Sequence, residues 1–330
     1  MKYSIVIPMY NSELFIEKTL DSLRCQNHKD LEIVLVNDGS KDNTEKVVKE
    51  YIDNHKELDI KYFLIENSGP GRARNVGLEH ATGDYLCFLD SDDQYDVNLF
   101  HDLDEIIQKD VDVCFFGWVE IDEQGKPFSY YDSTFKFIDG KISGLEAAKK
   151  KFHKEIWLCN CNEVYRLDFL RKNNIRYIEG VFSGEDTNFI YKCLLQAETV
   201  QCLPKNYFLN TYRNDSLMHH DFSERYLTEF TALEELYSFV KERNYDQEII
   251  RMIYSLYYYA RIAVAKKMVK SIKGNHPFKC RKMIKTMIPR LKKEMKPLLK
   301  KKEKVECNVY AFSKVFFFYF VKVYYGTHKK

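Results

Sequence analysis

Apolar residues recur in two alternating rhythms over the first hundred positions. Short continuous runs at Tyr3–Ile7, Leu31–Val36, Ile60–Ile65 and Tyr85–Leu89 have the length and β-branched content of buried strands. Between them the apolar spacing turns helical. Phe15, Ile16, Thr19, Leu20 and Leu23 share one face, with Ser12 placed to cap that helix. Asp42 or Asn43 opens a second helix, and a third follows Gly71, with Ala73, Val76 and Leu78 inward. Val111–Phe116 predicts a fifth strand. Strands that alternate with helices predict βαβ units, hence an α/β fold with a mostly parallel sheet flanked by helices.

Further on, Glu123-Gln124-Gly125-Lys126 predicts a hairpin turn. Gly144–Phe152, Leu167–Asn173 and Asp186–Gln196 predict helices. After an extended Tyr207–Tyr212 the pattern is mostly helical to the end, broken at Pro277, Pro289 and Pro297.

In an open parallel sheet, ligands bind beyond the carboxyl ends of the strands. The polar clusters fall there: Pro8-Met9-Tyr10-Asn11, Asn37-Asp38-Gly39-Ser40, Asn67–Gly71 and Asp90-Ser91-Asp92-Asp93. Three carboxylates in four residues repel one another unless a cation neutralises them, and hard divalent ions prefer such oxygen donors. A solvated acidic turn would use the same residues, and Asp38 would equally serve as a turn aspartate. Arg72 and Arg74 at a helix start suit a pyrophosphate, or are plain surface cations. Asp186 lies near a helix start, where it acts either as an N-cap or as a base toward an acceptor hydroxyl.

Charge changes the picture only near the end. The chain of 330 residues has a formal net charge of +2, but residues 261–330 hold 21 Lys or Arg against Glu294, Glu303 and Glu306. The tail is therefore near +18 and the remainder near −16, which places a compositional boundary near residue 260. Lys314 and Lys322 flank Phe316-Phe317-Phe318-Tyr319-Phe320, a pairing suited to an anionic membrane surface. Packing of that apolar face on the rest of the protein is the competing reading. No stretch resembles a nucleic-acid-binding motif, so no nucleic-acid partner is expected. Nine cysteines without a Cys-x-x-Cys pair predict core thiols rather than a zinc site or a disulfide framework. The start Lys2–Pro8 lacks the features of a signal peptide, and no run is long enough for a transmembrane helix. Those features predict a cytoplasmic protein, peripheral on the inner face of the membrane.

Five motifs in order, Ile5-Val6-Ile7-Pro8-Met9-Tyr10-Asn11, Val36-Asn37-Asp38-Gly39-Ser40-Lys41-Asp42, Gly71-Arg72-Ala73-Arg74-Asn75-Val76-Gly77, Leu89-Asp90-Ser91-Asp92-Asp93 and Gly184-Glu185-Asp186, resemble family 2 glycosyltransferases of the GT-A fold. The resemblance covers about residues 1–215. It implies an inverting transferase that uses a nucleoside-diphosphate sugar, with UDP as the nucleotide, and Mn²⁺ or Mg²⁺. It implies that Pro8 and Tyr10 line the base pocket, that Asp38 recognises the base, and that Asn11, Gly39, Arg74 and Ser91 lie along the nucleotide sugar. Asp90 would contact the ribose, Asp92 the metal, and Asp186 would be the catalytic base. Tyr212-Arg213-Asn214-Asp215-Ser216 resembles a loop over the donor, with Arg213 at the diphosphate and His219 or His220 as a possible extra metal ligand. Cys161–Arg166 resembles a family segment that often has Lys where this chain has Glu163.

The expectation is a catalytic domain over residues 1–215 and a helical, strongly basic region over 216–330. The expected acceptor is a glycan or lipid-linked hydroxyl in bacterial surface polysaccharide synthesis. Two rival classes are a nucleotide-sugar-binding module without catalysis and an aspartate-dependent phosphatase. The second would place its Asp-x-Asp pair after the first strand, whereas here the cluster follows the fourth.

Overall fold

The computed structural model describes residues 1–107, 110–213, 222–271 and 277–287. By compactness the chain divides into two units, one of residues 1–180 with 185–214 and one of 181–184 with 215–330.

The first unit is built on a ten-stranded sheet. Its parallel half runs β3 (Asp59–Leu64), β2 (Leu31–Asn37), β1 (Tyr3–Met9) and β4 (Tyr85–Phe88). The order continues through β9 (Glu163–Arg166), β6 (Val113–Ile121), β10 (Val200–Thr211) and the two-residue β5 (Gln94–Tyr95). β9 is antiparallel to both β4 and β6, while β6 and β10 are parallel. β7 (Pro127–Tyr130) pairs with β6 through the predicted hairpin, and β8 (Lys141–Ile142) pairs with β10.

The period of two on β1 explains the layers. Ile5, Ile7 and Met9 point into a core with Leu20, Leu23, Leu35, Phe100 and Leu103. These come from β2 and from helices α1 (Ile16–Arg24) and α4 (Leu99–Ile106), with α2 (Thr44–Asn54) supplying Val48 and Tyr51. Val6 points the other way, against α3 (Pro70–His80). A Cβ on Gly77 would come within 2.1 Å of Val6 Cγ1, so only glycine permits this helix–sheet approach. Phe88 extends the same layer by edge-to-face contacts with Tyr177 and with Phe189 of α7 (Glu185–Gln196). α5 (Gly144–Phe152) and α6 (Leu167–Lys172) complete the unit.

Ser12 does not cap α1. Phe15 holds the cap position without a side-chain bond, and Ser12 instead places its hydroxyl 2.6 Å from that of Ser91. The tie joins the loops after β1 and β4. β9 was not foreseen, because four residues that begin with a glutamate give too little pattern.

The second unit packs α8 (Thr228–Glu242) on α9 (Gln247–Ser271), with Tyr257 of α9 donating to Glu234 of α8 at 3.0 Å. α10 (Pro277–Met287) follows. α9 runs through residue 260, so the charge shift there marks no structural break. Pro289, Pro297 and the aromatic run 316–320 lie outside the described residues. Among the described residues no helix is long and apolar enough to cross a membrane. The seven described cysteines are all free thiols, and Cys87, Cys114, Cys161, Cys193 and Cys202 are buried.

Candidate active site at the carboxyl edge of the sheet

The loops after β1, β2 and β3 are stitched together by their own polar groups. Asn11, in the left-handed region at φ 53°, donates its N–H to Ser40 Oγ at 3.0 Å and accepts from the Lys41 N–H at 2.8 Å. Pro8 is partly buried in β1 and Tyr10 is exposed just beyond it. Gly39 sits at φ 67°, and a Cβ there would come 2.9 Å from Asn67 N, so conformation and space both require glycine. Asp38 is buried, and its carboxylate accepts the N–H groups of Ser68 at 2.7 Å and Gly69 at 2.9 Å. Burial pushes its pKa up, against these two bonds. In this state Asp38 clamps the loop that leads into α3.

Arg74, one turn into α3, is only 5% exposed. It is no surface cation. Its guanidinium donates to Asp90 at 2.9 Å and to Glu185 at 3.3 Å, and lies 5.3 Å from the Tyr177 ring centre. Burial works against its charge, but Asp90, Tyr177 and Glu185 outweigh that and raise its pKa. Arg72 is more exposed and pairs with Glu179 at 3.1 Å.

Asp90 is partly exposed, and Asp93 is buried with its carboxylate on the Thr211 N–H at 2.8 Å. Burial first, then the charges of Asp92 and Asp90, drive the Asp93 pKa well up. Such mutual destabilisation is what a divalent cation would relieve. Asp92 holds Arg213 at 2.6 Å, and that guanidinium also lies 4.1 Å from the Phe15 ring centre. Ligand atoms of Asp90, Asp93 and Cys161 lie within 4.8 Å of one another. Burial keeps the Cys161 thiol protonated, its pKa raised well up, so the carboxylates are the donors that suit Mn²⁺ or Mg²⁺. His219 and His220 lie outside the described residues, as do Asn214, Asp215 and Ser216.

The family model described as glycosyl transferase family 2 matches residues 4–173. The chain belongs to that family. Among its relatives is the uncharacterized glycosyltransferase YibD of Escherichia coli, 30% identical over 221 residues, 64% of this chain and 62% of that one. Another is the poly(ribitol-phosphate) beta-N-acetylglucosaminyltransferase TarS of Staphylococcus aureus, 31% identical over 66% of this chain and 37% of TarS. This chain thus spans less than two thirds of these relatives. The crystal structure of TarS residues 1–349 with UDP-GlcNAc superposes with a TM-score of 0.74 at 23% identity, over 99% of this chain and 92% of that one. A mannosyltransferase of Pyrobaculum calidifontis, solved with GDP-Man and Mn²⁺, gives 0.53 at 15% identity, over 97% and 86% of the two chains. These structures confirm the GT-A architecture with its mostly parallel central sheet.

Asp186 stands in the first turn of α7, partly buried, with its Oδ1 on the Thr187 N–H at 2.6 Å. Within this family 2 scaffold it has two neighbours that the motifs do not announce. Lys151 of α5 donates to Leu158 O at 2.6 Å, lies 4.9 Å from the Trp157 ring centre, and feels the charges of Glu163 and Asp186. Glu163 of β9 is fully buried, accepts from the Tyr165 hydroxyl, and has no partner for Oε1 among the described residues. Burial pushes its pKa up to about 8, helped by Asp186 and opposed by Tyr165 and Lys151. One signal for Lys151 was available. It stands four residues after the buried Ala147 and three after the buried Ala148, a spacing that puts it on their inward side.

Proposed function

We propose that this protein is an inverting glycosyltransferase that moves a sugar from a UDP-sugar to an acceptor hydroxyl in bacterial surface polysaccharide synthesis. The observation that carries the reading is the Arg74 bridge. One buried guanidinium spans from Asp90, in the acidic cluster, to Glu185, the chain neighbour of Asp186. Donor-side carboxylates and a candidate base are thus held on one rigid unit.

Asp186 takes the proton of the acceptor hydroxyl as its oxygen bonds to the anomeric carbon. The bond from that carbon to the diphosphate breaks, UDP leaves with the electron pair, and configuration inverts. A Mn²⁺ or Mg²⁺ ion held by Asp92, with Asp90 and Asp93, would neutralise the diphosphate. Pro8, Tyr10, Asn11 and Gly39 border the base and ribose, and Asp38 and Ser91 order the loops around them. Arg213, paired with Asp92, would exchange that carboxylate for a phosphate. The Mn²⁺ in the mannosyltransferase and the UDP-GlcNAc in TarS support this reading.

UDP with Mn²⁺ should raise the melting temperature, because a ligand of the native state stabilises it. Asp92→Asn should weaken that shift by about tenfold in apparent affinity, roughly 1.4 kcal/mol. Equal affinity in the variant would remove Asp92 from the metal site.

The basic region after residue 260 suits the anionic inner face of a membrane, at about 1 kcal/mol per engaged cation. Full-length protein should sediment with anionic vesicles, less so in high salt. A chain ending at Ser271, which leaves α9 whole, should stay in the supernatant. Sedimentation of both would move the contact elsewhere.

A further inference from the structure

One edge of the catalytic unit carries aromatic side chains that the donor chemistry does not use. Trp157 is 40% exposed, yet its backbone is pinned. Its N–H donates to the Tyr131 hydroxyl at 3.1 Å, and its carbonyl accepts from Asn162 Nδ2 at 3.2 Å. Its ring stacks on Phe135 at 5.7 Å and 26°, and Phe135 in turn packs on the buried Tyr131 at 5.4 Å. Further along β7, Tyr130 is exposed, and Phe128, 54% exposed, meets Tyr212, 41% exposed, edge-to-face at 5.8 Å. Exposed aromatic side chains that cluster, rather than scatter singly, mark a surface that meets a ligand or partner.

The two ends of this strip adjoin the two halves of the site. At one end Lys151 lies against Trp157 and within range of the Asp186 charge. At the other, Tyr212 precedes Arg213, which holds Asp92. The middle of the strip is acidic, and the cations at its ends, Lys151 and Arg213, already face carboxylates of the site. Between residues 119 and 139 stand Glu120, Asp122, Glu123, Asp132 and Asp139, against Lys126 and Lys136 alone. Such a surface repels a polyanion and offers rings for the apolar faces of sugars.

We infer that the aromatic strip from Trp157 to Tyr212 is the acceptor subsite, and that it takes an uncharged chain of pyranose rings rather than a polyol phosphate. This rests on the transferase reading above and names its acceptor class. The ring of Trp157 would stack on the sugar that presents its hydroxyl to Asp186. Phe128 and Tyr212 would contact another residue of the same chain.

The test titrates methyl β-cellobioside and methyl β-lactoside into full-length protein with UDP and Mn²⁺, following tryptophan fluorescence. The chain has only two tryptophans, so a response that disappears in Trp157→Phe belongs to Trp157. A saturable change is expected with at least one disaccharide and none with ribitol 5-phosphate. Trp157→Ala should weaken disaccharide binding about tenfold, read by calorimetry, and Trp157→Phe should restore most of it. UDP–Mn²⁺ affinity should stay within about twofold of the parent in both. The inference is overturned if no disaccharide binds, if Trp157→Ala binds as the parent does, or if ribitol 5-phosphate binds more tightly. A blue shift with neutral phosphatidylcholine vesicles in place of a sugar response overturns it too, by making the strip a lipid contact. Failure of the parent to bind UDP strikes the transferase reading instead.

Discussion

Glu32 and Glu163 have the same side chain and no solvent exposure, and the protein treats their charges in opposite ways. Glu32 sits at the amino end of β2, where Ser4 Oγ at 2.5 Å, the Thr82 N–H at 2.7 Å and hydroxyl at 2.6 Å, and Lys61 Nζ at 2.5 Å all donate to it. Burial would raise its pKa, but these donors overcome that and hold it down at about 2. Glu163 enters β9 on the side of the sheet that carries the site, with one donor, a bare Oε1, and a pKa near 8. At the amino edge the buried carboxylates of Glu32 and Asp112 each accept several donors. At the carboxyl edge Glu163 and Asp93 are buried with few donors, which is how groups poised to change charge are made.

The strongest way to break this contrast is through Asp186, the proposed base. Asp186→Asn should lower transfer by roughly 10²-fold or more, because a positioned base acts only as the acceptor proton moves. Donor affinity should barely change, since ground-state binding does not use that proton. Calorimetry with UDP and Mn²⁺, beside a transfer assay, separates the two. Near-normal turnover in the folded variant would make Asp186 a helix-start residue and the carboxyl edge no more than a charged rim.

How far the contrast was visible in the sequence depends on what each residue needs in order to be recognised. Strands β1 to β4 were legible because their apolar runs are punctuated by turn residues, and the helix boundaries at Gly144–Phe152 agree residue for residue. The polar loops were placed on one edge by topology alone, and the structure brings them together there. Partnership was not legible. Arg74 is buried by Tyr177, Asp90 and Glu185, which come from distant parts of the chain. The pairing of Arg213 with Asp92 crosses more than a hundred residues. Glu163 departs from the family pattern in the sequence itself, but its lack of donors depends on which groups β4 and β6 bring beside β9. Periodicity reports which face a residue occupies; it does not report who waits there.

Thermal or urea unfolding against pH sharpens the comparison further, with a smaller effect. For Glu32 the folded pKa lies below the value of about 4.3 expected in the unfolded chain, so its stabilisation is present above pH 4.3 and is lost as pH falls toward 2. Glu32→Gln should therefore cost about 2 kcal/mol near pH 7, as donors built for a carboxylate lose it. Glu163 has the opposite sign. Its folded pKa near 8 lies above 4.3, so between those values the folded chain holds a proton that the unfolded chain has released. Its contribution is fully present below pH 4.3 and declines as pH rises toward 8. Gln in its place has nothing to titrate and keeps an acceptor for the Tyr165 hydroxyl. Glu163→Gln should match the parent at pH 5 to within about 1 kcal/mol, a typical cost for a near-isosteric swap, and should become the more stable of the two by pH 8. Burial lowers the Lys151 pKa while the Glu163 charge raises it, so the difference between the two curves reports the Glu163–Lys151 pair as a unit. Parallel curves for parent and variant across pH 5 to 8 would mean that Glu163 is ionised in the folded protein, paired with Lys151, and that both edges of the sheet hold their charges in the same way.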